Sequence, residues 1–451
     1  MKKYFLLGVL IFLFGDFSFA QDAPKYRRSS LHMMMTENPS MPNKEVIGSA
    51  FLNSPFPDKY DNLNYNVRSA GTVMNMEVTE RTKEEIGEMP KEERKKFKKI
   101  GSNDRKLNKY FHTSRIGNEL IAKWFNRSND GSFDMSVIAD RGEYNASELD
   151  VQKAETQSRS VSTQLADAGL ELISSTFVVV NDFDFRDNET EALIAYELAK
   201  IVAESLPNES PLFLQRGALK KAKDLYEKAR QGYTVETDCY LYQLDWSDSV
   251  QAIFYNDYWV DESTTPEERE KRVKLFNESN LFQLKFIDMQ NFKRVVSNVK
   301  LTDIIITSKS LTQEEILSQA TVRAMDRAFS RLQRENEVFK PKVPLYQAEG
   351  KRCSAKIGLK ESLEGGEKFE VLEQTIDKKT GKTIYKRIGT LKVNKKKIWD
   401  NMFYVRDNDA DASKDVEDVV KKKIDDEPLE ATWFKKCKKK YYPGMLIRQM
   451  K

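Results

Sequence analysis

Residues 175–182 read STFVVVND, and this run limits the possible folds more than any other part of the sequence. A continuous stretch of β-branched and aromatic side chains is typical of a strand that is buried within a sheet. A second stretch, YLYQLDW at 240–246, places a large apolar side chain at every second position, which indicates a strand with one apolar face. The chain is therefore expected to build at least one sheet with a covered core.

Other segments of the sequence have apolar residues at the spacing of a helix. This spacing predicts helices over 189–205 and 219–231, a helix that opens at Ser147, and another that opens at the capping pair of Thr312 and Glu315. Two hairpins are also predicted, one around residues 129–131 and one over 233–255, together with strands at 281–287 and 302–307. Mixed elements of this kind predict an α+β protein with a central two-layer α/β domain and a mixed or antiparallel sheet.

The end of the chain has a separate pattern. Residues 358–393 alternate about a turn that contains Gly381, which predicts a β-hairpin with Gly389 at a bulge. The later stretch GMLIRQM is expected to close the sheet, and Pro341 and Pro344 mark the boundary before it. These features predict a small C-terminal β-barrel module of SH3-like type.

The first twenty residues combine Lys2 and Lys3, an apolar stretch and the small residues Ser18 and Ala20, which is the pattern of a cleaved secretory signal peptide. An uncleaved N-terminal anchor is the alternative. We expect residues 21–100 to form an extended and charged region, 101–345 the central domain, and 346–451 the C-terminal module. The protein is then exported, with a periplasmic, outer-membrane-associated or secreted location and no transmembrane span after cleavage.

The charge and the cysteine content limit the partners and the disulfide bonds that the sequence predicts. The net charge is +4 with interspersed acids and bases, so the sequence does not predict a nucleic-acid partner. Three cysteines do not make a disulfide framework, although Cys353 and Cys437 flank one segment and can pair in an oxidising compartment. Cys239 lies within a strand pattern and is expected to be a buried thiol.

Candidate catalytic groups are few. The two histidines, His32 and His112, lie without metal-ligand or triad spacing, and no P-loop, dinucleotide or esterase motif is present. Asp245 and Asp248 flank Trp246 in an aromatic region, which suits either a sugar site or a packed sheet, and packing is the preferred interpretation. No catalytic residue is assigned.

An acidic run at 407–418, DNDADASKDVED, has the spacing of a calcium loop. Its ligand positions are occupied by six residues, which are Asp407, Asp409, Asp411, Ser413, Asp415 and Asp418. Ala412 stands where the loop prefers glycine, and the last ligand is aspartate rather than glutamate, so a solvated acidic insertion is the alternative. Calcium is the one cofactor that the sequence suggests.

Two other segments are candidates for binding. Arg141, Glu143, Tyr144 and Asn145 are predicted to lie in a loop between a strand and a helix, where ligand-binding residues often occur. The run WFKKCKKKYY at 433–442 interleaves basic and aromatic residues, which suits an anionic glycan, a lipid surface or a protein partner. The alternative for this run is an edge strand that lysines protect against aggregation.

The motifs TFVVVND, YLYQLDW, ATVRAMDRAF and GMLIRQM, over most of the mature chain, resemble those of uncharacterised exported proteins from Bacteroidota-type bacteria. The resemblance implies an envelope location and carries no activity or site residues. A two-layer α/β core followed by a small barrel is also similar, in architecture alone, to assembly proteins of bacterial envelope machines.

Three functions are consistent with these observations. The first is a non-enzymatic exported envelope protein that binds a protein or glycan partner or serves in an assembly. The second is a carboxylate-dependent glycan hydrolase, and the third is a calcium-stabilised binding module. An enzyme should place two carboxylates face to face in a deep pocket, whereas a docking protein should expose an apolar patch or a free sheet edge.

Overall fold

The protein has an α+β fold with a mixed sheet and a curled antiparallel sheet. A computed structural model describes residues 29–39, 41–57, 59–145, 172–205, 212–296, 312–361, 363–376, 383–401 and 429–450. The predicted signal peptide at 1–20, the helix that opens at Ser147, the strand at 302–307 and the acidic run at 407–418 lie outside the described residues.

The mixed sheet has five strands in the order β2-β1-β3-β4-β5. The strands are β1 (Ser30–Met35), β2 (Asp61–Asn62), β3 (Thr176–Asp187), β4 (Tyr233–Leu244) and β5 (Leu284–Val296). The first three lie parallel to one another, and β3, β4 and β5 form antiparallel pairs. Strand β1 comes from the region 21–100 that was expected to be extended and charged, and it is an interior strand of this sheet.

Helices surround the mixed sheet. They are α1 (Lys44–Leu52), α2 (Lys83–Glu88), α3 (Lys91–Ile100), α4 (Asn103–Thr113), α5 (Ile116–Trp124), α6 (Ser136–Asn145), α7 (Glu189–Glu204), α8 (Leu212–Ala229), α9 (Asp248–Ile253), α10 (Pro266–Glu278) and α11 (Gln313–Glu335). The predicted capping box of α11 is confirmed, because the Thr312 hydroxyl accepts from the Glu315 N–H and the Glu315 carboxylate accepts from the Thr312 N–H. No described helix has both the length and the apolar character that a membrane span needs.

The central domain is not two-layered as predicted, because apolar clusters cover both faces of the sheet. Val178 and Val180 of β3 belong to a cluster with residues of α4 and α5, whereas Phe177 and Val179 belong to a second cluster with residues of α1 and α11. Alternate side chains of a strand point to opposite faces, so a continuous apolar run such as 176–180 requires a layer of helices on each side.

Two predicted hairpins are wrong. Residues 116–124 and 136–145 form α5 and α6, and the turn at Gly131 (φ +87°) connects helices rather than strands. The side chain of Asp134 accepts a hydrogen bond from the Ser136 N–H at 2.8 Å and thereby starts α6. Likewise β4 is followed by α9, where the Ser247 hydroxyl accepts from the Val250 N–H at 3.4 Å. In both places a short polar side chain caps the start of a helix, so the stretch is helical although its apolar residues alternate in the sequence.

The C-terminal sheet has seven antiparallel strands in the order β6-β12-β9-β10-β11-β8-β7. They are β6 (Val343–Pro344), β7 (Gln347–Glu349), β8 (Arg352–Ala355), β9 (Lys368–Ile376), β10 (Thr383–Val393), β11 (Thr432–Lys435) and β12 (Leu446–Gln449). The predicted hairpin of β9 and β10 is confirmed, and its register shifts between Arg387 and Gly389. A side chain at Gly389 would collide with the Tyr441 hydroxyl, so a larger residue at this bulge would require the Tyr441 ring to shift.

Cys353 and Cys437 form a disulfide, with their Cα atoms 5.7 Å apart. The bond joins β8 to the turn after β11, beside the antiparallel pair of Cys353 and Phe434. Cys239 is a buried free thiol, as predicted.

Helix α11 contacts the C-terminal part of the protein. The Ser330 hydroxyl donates to the main-chain carbonyl of Lys360, in the short 3₁₀ turn Leu359–Glu361. Arg334 forms an ion pair with Glu364 at 3.5 Å, and Arg448 of β12 forms one with Glu337 at 3.5 Å. The second half of α11 and Glu337 just after it therefore contact the C-terminal part of the protein through polar groups.

Candidate functional site

The segment that was predicted to be a binding loop lies in a helix. Arg141, Glu143, Tyr144 and Asn145 are all within α6, so the prediction of a loop at these residues is wrong. The Arg141 guanidinium lies 4.2 Å from the ring centre of Trp124 and 3.7 Å from the Asp61 carboxylate. Arg141 therefore holds α6 against β2 and the end of α5, which is a structural role.

The aromatic residues around Trp246 form part of the core, as the preferred interpretation predicted. Trp246 is buried, and its ring centre lies 5.6 Å from that of Phe254 and 6.4 Å from that of Phe282. Asp245 forms an ion pair with Lys285 at 2.9 Å, and Asp248 lies in the first turn of α9. These rings pack against one another and do not line a sugar cleft with the two acids.

Two other acids face each other across β3 and β4. Asp182 and Asp238 are direct cross-strand partners, and Asp238 is in turn opposite Asn291 of β5. The Thr36 hydroxyl donates to the Asp182 carboxylate at 2.6 Å, and the Asn291 amide donates to the Asp238 carboxylate at 2.8 Å. This pair could not be predicted from the sequence, because an acid inside a strand pattern gives no sign of what lies opposite it.

Burial raises the pKa of both acids. For Asp182 the neighbouring Asp184 adds to the rise, and the donors Thr36 and Asn38 oppose it. For Asp238 the charge of Asp182 adds to the rise in pKa, and the Asn291 amide opposes it. A general acid and a general base need environments that push their pKa values apart, whereas these two shifts have the same sign.

His32 is a core residue. It is fully buried in β1 and stacks on Tyr65, with the ring centres 4.3 Å apart. Burial lowers the pKa of its imidazole to about 3, which keeps the ring neutral at physiological pH. The expectation that this histidine is structural agrees with its position.

Among the residues that the structure describes, no three histidine, cysteine or acidic side chains are grouped in a way that suits a metal ion. The six predicted calcium ligands lie outside those residues, so the calcium site stays a prediction.

An open groove of about 680 Å³ runs along α10, and Asp130 at its side forms an ion pair with Arg269 at 2.7 Å. Four of the eight residues that line the groove are charged residues of α10.

One buried acid lies where α11 meets the C-terminal sheet. Burial raises the pKa of Asp326 to about 6, and the nearby charges of Lys360 and Arg327 reduce the rise. Because the folded state holds this proton more tightly than the unfolded state, the contribution of Asp326 to stability is complete below about pH 4 and is lost as the pH rises through about 6.

We therefore expect Asp326→Asn to raise the free energy of unfolding by about 2 to 3 kcal/mol at pH 7, since one pKa unit corresponds to about 1.4 kcal/mol. Relative to wild type, this gain should shrink as the pH is lowered and vanish near pH 4. Urea unfolding of both proteins across this range measures it. The exposed substitution Asp140→Asn controls for the loss of one negative charge, and a gain that is independent of pH would contradict the assignment.

Among the residues that the structure describes, the largest group of exposed apolar side chains belongs to the helical hairpin of α7 and α8, which connects β3 to β4. Seven large apolar side chains on it are between 45% and 65% exposed: Leu193, Ile194, Leu198, Ile201, Val202, Leu214 and Leu225. Those at 194, 198, 201 and 202 have the spacing of one helix face. We call these seven residues the hairpin patch.

Small residues hold the hairpin together on its inner side. Ala192, Ala203 and Ala222 are buried, and the ring centres of Tyr196 and Tyr226 lie 5.5 Å apart. At the base, the Thr234 hydroxyl of β4 donates to the Asn188 side chain at 2.8 Å. Helix α7 therefore contacts α8 through one face, and its apolar stripe at 194, 198, 201 and 202 stays exposed to solvent.

No protein-family model matches this chain, and no curated protein matches it either.

Proposed function

We propose that this is an exported, non-enzymatic envelope protein with an assembly role, and that the hairpin patch is the surface through which it assembles. The observation that carries the proposal is the exposed apolar stripe of α7, because soluble monomers rarely leave a continuous stripe of this size uncovered. Export is supported by the signal-peptide pattern at 1–20 and by the disulfide, which is a bond typical of oxidising compartments.

The partner that fits the hairpin patch best is a second copy of this chain. Helix α7 carries four glutamates and one lysine, whereas α8 carries five basic and two acidic residues. A twofold axis between two hairpins places α7 of one copy against α8 of the other, so that opposite charges meet around a shared apolar seam. The product is an antiparallel four-helix bundle.

The C-terminal sheet supports the same proposal. We propose that it is a small module of SH3-like type, which is consistent with its curled antiparallel sheet and its place at the end of the chain. Modules of this kind serve more often in docking than in bond-breaking chemistry. The calcium loop at 407–418 remains a proposal for this module.

Substituting three residues of the hairpin patch tests the proposal. We expect wild type to be a dimer in analytical ultracentrifugation, and the combined variant Ile194→Ser, Leu198→Ser, Ile201→Ser to weaken dimerisation at least about a hundredfold, because burying one such side chain contributes about 1.5–3 kcal/mol. Val67, Leu275 and Val338 are also exposed apolar residues, and replacing these three by serine is the matched control that should leave the dimer intact.

Two outcomes would contradict the proposal. One is a wild-type protein that stays monomeric at every concentration while its circular dichroism shows a folded chain. The other is turnover of a glycan by the purified protein that is lost in Asp182→Asn. The second result would favour the carboxylate-dependent glycan hydrolase, with Asp182 and Asp238 as its facing acids.

A further inference from the structure

A second surface, unrelated to the hairpin patch, lies on the C-terminal sheet. The pairing of β10 with β11 brings together two lysine-rich segments, 392–397 and 435–440, which are distant in sequence. Nine lysines and no acid lie in these segments: Lys392, Lys395, Lys396, Lys397, Lys435, Lys436, Lys438, Lys439 and Lys440. We call these nine residues the lysine patch.

The backbone fixes the two segments against each other. Lys392 and Lys435 are direct cross-strand partners. After β10 ends, the chain stays bonded to β11, because the Asn394 N–H donates to the Trp433 carbonyl at 3.0 Å and the Trp433 N–H donates to the Lys397 carbonyl at 3.0 Å. The disulfide at Cys437 anchors the second segment between its two groups of lysines. The positive charge is therefore held on a rigid part of the fold.

The position of β11 also corrects the interpretation of the run at 433–442 as an edge strand. It lies between β10 and β8, so its lysines do not protect an open edge from aggregation.

All nine lysines of the patch are exposed, and none forms an ion pair with a carboxylate of the residues that the structure describes. The nearby acid Glu367 accepts hydrogen bonds from the N–H groups of Glu364 and Gly365 instead. Within the described part of the chain, the positive charge of the lysine patch is therefore not neutralised by neighbouring carboxylates.

The geometry points to an anionic lipid surface as the partner of the lysine patch, and we propose that it holds the C-terminal sheet against a membrane that contains anionic lipid. The patch has no arginine, and lysine acts as a point charge, whereas recognition of a single carboxylate or phosphate usually employs the bidentate fork of arginine. Clusters of four to eight basic residues are typical of proteins that bind anionic membranes.

Aromatic side chains at the margin of the lysine patch support a membrane rather than a soluble polyanion. Trp433 is half-buried beside the patch, and Tyr442, just beyond it, is 52% exposed. Tryptophan and tyrosine favour the boundary between water and lipid, because one part of each ring system is apolar and another part is polar. An exported protein would meet such lipid on the surfaces of the envelope.

Vesicle sedimentation with the full chain tests this inference. We expect wild type to sediment with vesicles of phosphatidylglycerol and phosphatidylcholine, not with phosphatidylcholine alone, and to be released by salt. Replacing Lys395, Lys396 and Lys397 together by glutamine should reduce binding at least about tenfold, since each lysine near such a surface adds a favourable contribution. A second variant, in which residues 438, 439 and 440 become glutamine, should behave in the same way.

The matched control removes the same charge from another surface. Lys91, Lys95 and Lys98 on α3 are exposed, and their replacement by glutamine should leave binding unchanged. The inference is overturned if both patch variants sediment as the control does, or if wild type binds neutral vesicles equally well. Retention of wild type on a sulfated polysaccharide without any binding to vesicles would also overturn it and indicate a glycan partner. Thermal melting of each variant verifies that it is folded.

Discussion

Replacing both Cys353 and Cys437 by serine is expected to lower the free energy of unfolding by about 4 to 5 kcal/mol. The two cysteines are separated by 84 positions in the sequence, and a crosslink that closes a loop of that length removes much of the conformational freedom of the unfolded chain. Cys353 is also fully buried beside Phe434, so the variant leaves a polar hydroxyl in an apolar place. The C-terminal sheet, and with it the lysine patch, should be the part most affected.

Guanidinium unfolding with and without a reductant measures this effect. The reductant should destabilise wild type and leave the double serine variant unchanged, because the variant has no bond to reduce. Cys239→Ala is the control: it removes the third cysteine, and the protein should still respond to the reductant. The expectation fails if the oxidised wild type and the double variant unfold at the same denaturant concentration.

Gly117→Ala is expected to lower the free energy of unfolding by at least about 3 kcal/mol. Gly117 lies in the first turn of α5, where the helix backbone touches the main-chain carbonyl of Phe282, just before β5. A methyl group at this position would overlap the Phe282 carbonyl oxygen, and a backbone atom cannot move aside as a side-chain tip can. The helix would have to separate from the sheet, which would also disturb the contact of Trp124 with Arg141.

A second glycine provides the matched control. Gly48 lies inside α1, and a methyl group there meets no atom within 4 Å. Alanine is a better helix former than glycine, so Gly48→Ala should raise the free energy of unfolding by about 0.5 to 1 kcal/mol. Urea unfolding of the two variants should therefore give changes of opposite sign, and equal changes would show that the close approach of α5 to Phe282 does not limit packing.

Several elements could be predicted because their signals are local. The β-branched run of β3, the capping box of α11 and the alternating arms of the β9–β10 hairpin each depend on side chains a few positions apart. The bulge at Gly389 and the buried state of Cys239 followed from the same kind of pattern. The predictions failed at α5, α6 and α9, where a short polar cap or a tight helix contact outweighed an apparent alternation.

The lysine patch and the hairpin patch could not be predicted from the sequence. The sequence does not indicate that the lysines at 395–397 lie beside those at 438–440, because no local pattern shows that β10 and β11 are neighbours. The stripe of α7 reads in the sequence as an ordinary amphipathic helix, which would normally pack its apolar face on a core. Its exposure follows from the position of the hairpin outside the two helical layers.

The sequence by itself determined the α+β class of the fold, the strands β3, β4, β9, β10 and β12, and the helix α11. Tertiary structure alone decided that β1 from the N-terminal region lies inside the sheet, that Asp182 faces Asp238, and that two lysine segments form one surface. The physical reason is that propensity, capping and turn chemistry act over a few residues, whereas strand order and register are set by burying the whole chain at once.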